Sequence, residues 1–313
     1  MPRRISMGTE NFTSRFCRKC LAQSLPVDMM VRFARIIYPE YDVYRRTGLS
    51  AGMPISNQSA AQCIVMDMIQ GGHFIDFVEA LIKIDAKGYM GRHYPLKGLN
   101  DVVTGLIQDG YSYDPVSGQF FENQRERISP NWGRLNEGEE REMTLLRFDM
   151  AGSSRLVRQN PREKIEKAYA DLRLIINRAV TSRLGRLWSW EGDGGMAAFL
   201  FGAMEKASVF CGMEILHELF FYNRMKNPLQ NPIDIRIGVN IGSVCYYADE
   251  ARRLKNDAVK QTVSLESAAA VNSMGVSYNI YISMDQNMIG LFSPEKNRPG
   301  GKYRLYQLRL AET

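Results

Sequence analysis

From residue 143 onward the apolar residues of this chain change period in an order that few folds accept. Residues 143–150 read as a strand. Asn160-Pro161-Arg162-Glu163 then carries the marks of a helix start: an N-cap, a proline at the first helical position and a glutamate at the third. Ile165, Ala168, Leu172, Ile175, Ile176 and Val180 repeat behind it at helical spacing. Residues 186–191 and 196–201 read as two strands joined by Gly192-Asp193-Gly194-Gly195. A second amphipathic helix follows, with Ala207, Phe210, Met213, Leu216 and Phe220 on one face, and residues 233–240 form a fourth strand. The order is β-α-β-β-α-β, an α+β chain of ferredoxin-like arrangement. In that arrangement the first two strands run parallel across a right-handed crossover, so their C-terminal ends share one edge of the sheet.

Two aspartates sit at those ends. Asp149 closes the first strand, within Leu145-Leu146-Arg147-Phe148-Asp149-Met150-Ala151-Gly152-Ser153-Ser154, and Asp193 lies in the turn after the second. An aspartate beside glycines in a tight turn has an ordinary explanation, because both residue types tolerate unusual backbone angles. For either residue alone that explanation is preferred. Together on one sheet edge, the two carboxylates make a hard, oxygen-rich site suited to Mg²⁺ and the phosphates it carries.

The chain has 313 residues, 45% of them hydrophobic, enough for two domains with separate cores. Residues 1–26 are polar and basic without periodicity and read as a flexible arm. Residues 27–123 form a first unit. Val31, Phe33, Ile36 and Ile37 suggest one short helix; Ala60, Ile64, Val65, Met68 and Ile69 suggest a second, capped by Ser56 or Asn57 and ended by Gly71-Gly72. Residues 74–84 and 99–108 read as two more helices, and residues 111–121 as a small hairpin around a Pro/Gly turn. Helices followed by one hairpin could be a winged helix that binds DNA. This unit carries 8 Lys and Arg against 11 Asp and Glu, and the helix around Ala60 has Asp67 and no basic residue. Phosphate contacts supply most non-specific DNA affinity, so the charge argues against nucleic acid and for a regulatory or protein-contact module. Residues 124–142, rich in charge and broken by Pro130, Gly133 and Gly138, read as a linker to a second domain over 143–313.

The net charge of +6 is modest and supports solubility. The longest apolar stretch, residues 194–216, is interrupted by Glu205 and Lys206 and is too polar to span a bilayer. No signal-peptide run follows Arg3-Arg4, and the five cysteines form an odd, scattered set. The expectation is a reduced, cytoplasmic protein without a membrane segment. Cys17 and Cys20 have metal-ligand spacing, but His73, His93 and His217 supply no second pair for zinc.

The second unit resembles the class III nucleotidyl cyclase family, the catalytic domain of adenylate and guanylate cyclases. Four segments carry the resemblance, between about residues 144 and 283. Residues 148–154 look like the family's first metal motif, and Gly192-Asp193-Gly194 with Phe199 like the second. Residues 236–244 are similar to its Arg-Ile-Gly-Ile-His-Thr-Gly-Pro-Val strand pair, and residues 256–263 to its Tyr-Asp-Ile-Trp-Gly-Asp-Thr-Val run. The resemblance implies a head-to-tail homodimer that binds a nucleoside triphosphate on two Mg²⁺ or Mn²⁺ ions. Asp149, Asp193 and the Met150 carbonyl would hold the metals, and the backbone of Ala151, Gly152, Ser153 and Ser154 would cradle the phosphates. The product would be a 3′,5′-cyclic monophosphate made in signalling.

Several positions depart from the family pattern. The base-selecting position four residues before the second metal aspartate is Ser189, between Trp188 and Trp190, where the family keeps Lys or Glu. Asp257 matches the second base-contacting position. The transition-state Asn and Arg positions align with Ser264 and Ala268; an alternative frame through Val271-Asn272 brings the following strand, taken as residues 280–283, too soon. Loss of one preorganised donor costs on the order of 10²–10³ in rate. Arg252, Arg253, Lys255 and Lys260 could replace the missing charge or form a solvated basic loop. Trp188 and Trp190, two apart on a strand, share one face and are expected to share one packing role. Three readings follow: a metal-dependent nucleotidyl cyclase governed by its N-terminal module, a degenerate cyclase-fold sensor that binds nucleotide without turnover, and a winged-helix DNA-binding regulator.

Overall fold

The polar start of the chain conceals an apolar stripe. In the computed structural model, which describes residues 12–48, 50, 53–115, 117–298 and 301–308, Phe12–Ser24 forms helix α1. Cys17, Cys20 and Leu21, spaced three and four residues apart, bury one side of it completely. The flexible arm expected over residues 1–26 is therefore corrected from residue 12; residues 1–11 lie outside those described. Helices α2 (Val27–Ala34), α3 (Val43–Thr47), α4 (Asn57–Gln70), α5 (Phe74–Lys87) and α6 (Leu99–Gln108) follow, then the antiparallel hairpin β1 (Tyr111–Asp114) and β2 (Gln119–Glu122). The Ser56 hydroxyl caps α4 by accepting from the Ser59 N–H. Helix α4 packs against α1, α2, α3 and α5, so the helix around Ala60 is the central helix of this unit.

The chain divides into two compact units, Met1–Arg127 and Ile128–Thr313. The second contains β3 (Glu140–Ala151), α7 (Ser153–Gln159), α8 (Arg162–Thr181), β4 (Arg186–Glu191), β5 (Gly194–Phe199), α9 (Met204–Met225) and β6 (Asp234–Cys245). It continues with α10 (Glu250–Arg253), α11 (Asp257–Ala268), β7 (Ser273–Ser277), α12 (Tyr278–Ile282), α13 (Gln286–Ile289), β8 (Lys296–Arg298) and β9 (Gly301–Gln307). Seven strands form one sheet in the order β4-β5-β3-β6-β7-β9-β8. Strand β3 pairs antiparallel with β6 along its whole length and with β5 on its other side. Because β4 is antiparallel to β5, it runs parallel to β3 with β5 between them.

The two faces of β3 do different things. Leu146, Phe148 and Met150 enter the main core with Leu172 and Ile176 of α8 and Ile215 of α9. Arg147 and Asp149 alternate onto the opposite face, where α11 lies on β3, β6 and β7. Helix α11 comes this close because Gly238 of β6 has no side chain: a Cβ there would sit 2.4 Å from the Glu266 backbone nitrogen and 2.7 Å from the Thr262 carbonyl oxygen. Both obstacles are backbone, so Gly238→Ala is expected to cost about 1–3 kcal/mol. An unchanged urea midpoint in that variant would remove the contact from the account.

Several sequence expectations are corrected here. Asn160 does not cap α8; it follows α7, donates to the Leu156 carbonyl and accepts from the Gln230 N–H, so it joins α7 to the loop before β6. Helix α9 is apolar on most sides, which blurred its period, and its buried face runs through Val209, Gly212, Ile215 and Leu219 while Phe210 is exposed. Residues 278–282 are helical, and the strand of that region is β7. The segment read as a linker packs on β4: Trp132 is fully buried, and the Ser129 and Pro130 carbonyls accept from Arg186 Nε and Trp188 Nε1. Charge and prolines dominated its composition, yet Trp132 and Leu135 anchor it in the second unit.

Candidate functional site

The turn after β4 is tied to the end of β3 by a backbone hydrogen bond, in which the Met150 N–H donates to the Asp193 carbonyl at 3.1 Å. Asp149 stands opposite Gly194 in the β3–β5 register. Asp149 and Asp193 are thereby brought to one sheet edge. Gly194 is required beside them: a Cβ there would meet Asp149 Oδ1 at 2.7 Å, Arg147 Nη2 at 2.9 Å and the Phe148 carbonyl at 2.9 Å. Gly195 leaves room for the Phe148 ring on the other face. Gly152 has φ of +74° with open space around its Cα, so glycine serves the backbone angle that leads from β3 into α7.

Among the described residues neither the Asp149 nor the Asp193 carboxylate has a hydrogen bond or ion pair. Burial, and then the neighbouring Asp193, push the Asp149 carboxyl above its ordinary value, while Arg147 and Arg236 pull it down. A half-buried carboxylate raised by its acidic neighbour, with no protein donor on it, is one that a divalent cation would relieve. The described residues contain no group of three or more His, Cys, Asp or Glu that could hold a metal, so any cation here rests on this pair and main-chain oxygen. Cys17 and Cys20 lie in a helix core, where burial raises both thiols, Cys20 to about 12.

Three charged residues around Asp149 were not singled out from the sequence. Arg236 is its direct cross-strand partner on β6, Arg147 shares its face two residues earlier, and Glu266 reaches them from α11 over Gly238. Glu266 is only 5% exposed; burial and Asp149 raise its carboxyl, and Arg147 and Arg236 lower it. The available signal was Gly238 in register with Arg147, together with Thr262 and Glu266 one helical turn apart facing that gap.

The remaining predicted positions are more dispersed. Ser189 is in register, through Met196, with Arg147, and its buried hydroxyl has no partner among the described residues. A bulge between Leu187 and Ser189 separates the two tryptophans. Trp188 is buried against Trp132, Tyr246 and the Arg253 guanidinium, whereas Trp190 packs on Phe148 and under Arg173, so the shared packing role is corrected. Asp257 opens α11, exposed and paired with Lys260, which lowers its carboxyl. Ser264 accepts from Arg298 Nη1 at 2.7 Å, and the Ala268 carbonyl accepts from the Tyr303 hydroxyl at 3.3 Å, both toward β8 and β9. Asn272 lies in a left-handed turn after α11, with φ of +55°. Arg253 is buried, with its guanidinium on the Trp188, Tyr247 and Ala248 carbonyls, and so belongs neither to a solvated loop nor to a free reserve of charge.

No protein-family model and no curated protein matches the chain. Solved structures do. The chain is similar to the adenylate/guanylate cyclase/hydrolase from Silicibacter pomeroyi, at 23% identity over 55% of this chain and 99% of that one, with a TM-score of 0.45. It is similar to the adenylyl cyclase CyaB from P. aeruginosa, at 17% identity over 55% and 96%, with a TM-score of 0.46. It is also similar to the guanylate cyclase domain of RhGC from Catenaria anguillulae in complex with GTP, at 17% identity over 54% and 96%, with a TM-score of 0.44. No helix among the described residues is long and apolar enough to cross a membrane.

Proposed function

We propose that the second unit is a metal-dependent nucleotidyl cyclase, acting as a homodimer in signalling, which converts a nucleoside triphosphate to a 3′,5′-cyclic monophosphate and pyrophosphate. The observation that carries the reading is the pair Asp149 and Asp193, joined at one sheet edge with carboxylates that no side chain among the described residues satisfies. Asp149, Asp193 and the Met150 carbonyl would hold two Mg²⁺ or Mn²⁺. Bound there, the ions would supply positive charge to the triphosphate and to a ribose 3′-oxygen attacking the α-phosphate. The backbone of Ala151, Gly152, Ser153 and Ser154 faces the phosphates, with Gly152 setting the turn. Ser189 and Asp257 contact the base.

A second reading has its own support. Ser264 is occupied by Arg298, and Ala268 offers no polar side chain, so the usual donors to the transition state are missing from α11. That favours a domain that binds nucleotide as a signal without turning it over, reporting through the N-terminal module. The deciding experiment incubates the purified protein with Mn²⁺ and each of ATP, GTP, CTP and UTP, and resolves the products by mass. A cyclic monophosphate is expected, and it names the base. Metal-dependent binding of one nucleotide with no cyclic product establishes the sensor instead.

A further inference from the structure

Four charged residues meet on the α11 face of the sheet, and among the described residues none of their side chains is paired. Asp149 and Arg236 are cross-strand partners, Arg147 lies beside Asp149 over Gly194, and Glu266 closes the group from α11. Among the described residues none of the four makes an ion pair or a side-chain hydrogen bond. The Nε of Arg147 is buried without a partner, and Glu266 is nine-tenths buried without one. Glu266 is buried and the other three are half-buried, and a guanidinium next to a carboxylate ordinarily closes onto it. Here each guanidinium acts on two acids, Asp149 on the sheet and Glu266 on the helix, and among the described residues forms a hydrogen bond or ion pair with neither.

A ligand that satisfies this group must offer a cation to Asp149 and anionic oxygens to the arginines together. The chemical class that does so is a divalent-metal complex of a di- or triphosphate, and the planar forks of arginine fit phosphate oxygens in pairs. We infer that Arg147 and Arg236 form the anion-binding half of the site and take phosphate oxygens of a metal–polyphosphate. This rests on the reading of Asp149 and Asp193 as the cation site.

The test uses the full chain and calorimetric titration with Mn²⁺ alone, Mn²⁺ with inorganic tripolyphosphate, and Mn²⁺ with a nucleoside triphosphate. Arg147→Gln and Arg236→Gln are each expected to weaken tripolyphosphate binding about 10–100-fold, the range of a charge-assisted hydrogen bond. Both should leave the affinity for Mn²⁺ alone unchanged or tighter, because a cation near Asp149 has been removed. Arg147→Lys keeps the charge, guards against a folding defect and should fall between. The nucleotide should lose the same factor as tripolyphosphate. Unaltered tripolyphosphate binding in both glutamine variants, loss for the nucleotide alone, or no binding by the native chain would overturn the inference. If Asp149→Ala leaves Mn²⁺ binding intact while the arginine variants still lose tripolyphosphate, the cation-site reading fails and the anion site stands.

Discussion

Asp149→Asn is expected to raise the melting temperature of the metal-free protein at neutral pH and to abolish its stabilisation by Mn²⁺ with nucleotide. The carboxyl of Asp149 is raised in the folded protein, by burial first and by Asp193 second. The folded chain therefore binds that proton more tightly than the unfolded chain does. Ionisation costs stability progressively as pH rises from the ordinary carboxylate value through the raised one, and the penalty is complete above it. Asparagine keeps the shape and removes the charge, so the penalty disappears. The same change removes an anionic oxygen from the proposed cation site, so ligand-dependent stabilisation, which follows the affinity for the folded state, should go with it. For the native protein, metal affinity should fall as pH drops through the raised Asp149 value, because the proton and the cation compete for the same oxygens. Asp193→Ala should also lose the metal-dependent signal. Thermal denaturation with and without Mn²⁺ and nucleotide reads both effects. A lower metal-free melting temperature together with an intact metal shift would mean that Asp149 is a structural residue of the turn.

The opposite signs of those effects separate a functional carboxylate from a structural one; what the sequence made legible is that the two aspartates meet. Asp149 and Asp193 were legible because strand periodicity places each at the end of a strand, and strand order then places both ends together. The α+β order of the second unit was legible for the same reason. Arg147, Arg236 and Glu266 were not. Their meeting depends on which residue of β6 opposes which residue of β3, and on how far α11 sinks onto Gly238. A period specifies a face and leaves register open. Ser264 illustrates the same limit: its place on α11 was readable, while its hydrogen bond to Arg298, far along the chain, was not. The bulge at Leu187 and Ser189 defeated the two-residue rule for Trp188 and Trp190, since one extra residue in a strand turns the next side chains onto new partners.

Residues 128–139 show that composition can mislead as well, and they carry the largest expected effect on stability. Trp132→Ala is expected to destabilise the second unit by about 3–5 kcal/mol. Trp132 is fully buried, its indole Nε1 donates to the Leu184 carbonyl at 2.6 Å, and the rings of Trp188 and Phe201 stand 6.3 and 5.9 Å from it. The Arg186 guanidinium lies 5.5 Å from its ring centroid while donating to the Ser129 carbonyl, so the tryptophan also shields a buried cation. Truncation to alanine opens a cavity, leaves the Leu184 carbonyl without that donor and admits water to Arg186. The backbone angle gives nothing back, because alanine at the φ of +54° held by Trp132 is no more comfortable than tryptophan. Trp132→Phe retains most of the apolar volume and loses the N–H, so it should cost less than the alanine variant. Urea titration of the full chain reads the difference in the transition of the second unit. A cost below about 1 kcal/mol for Trp132→Ala would place residues 128–139 outside the cooperative core. The expected large cost would make this segment the brace behind β4, the edge strand whose turn carries Asp193 to the end of β3.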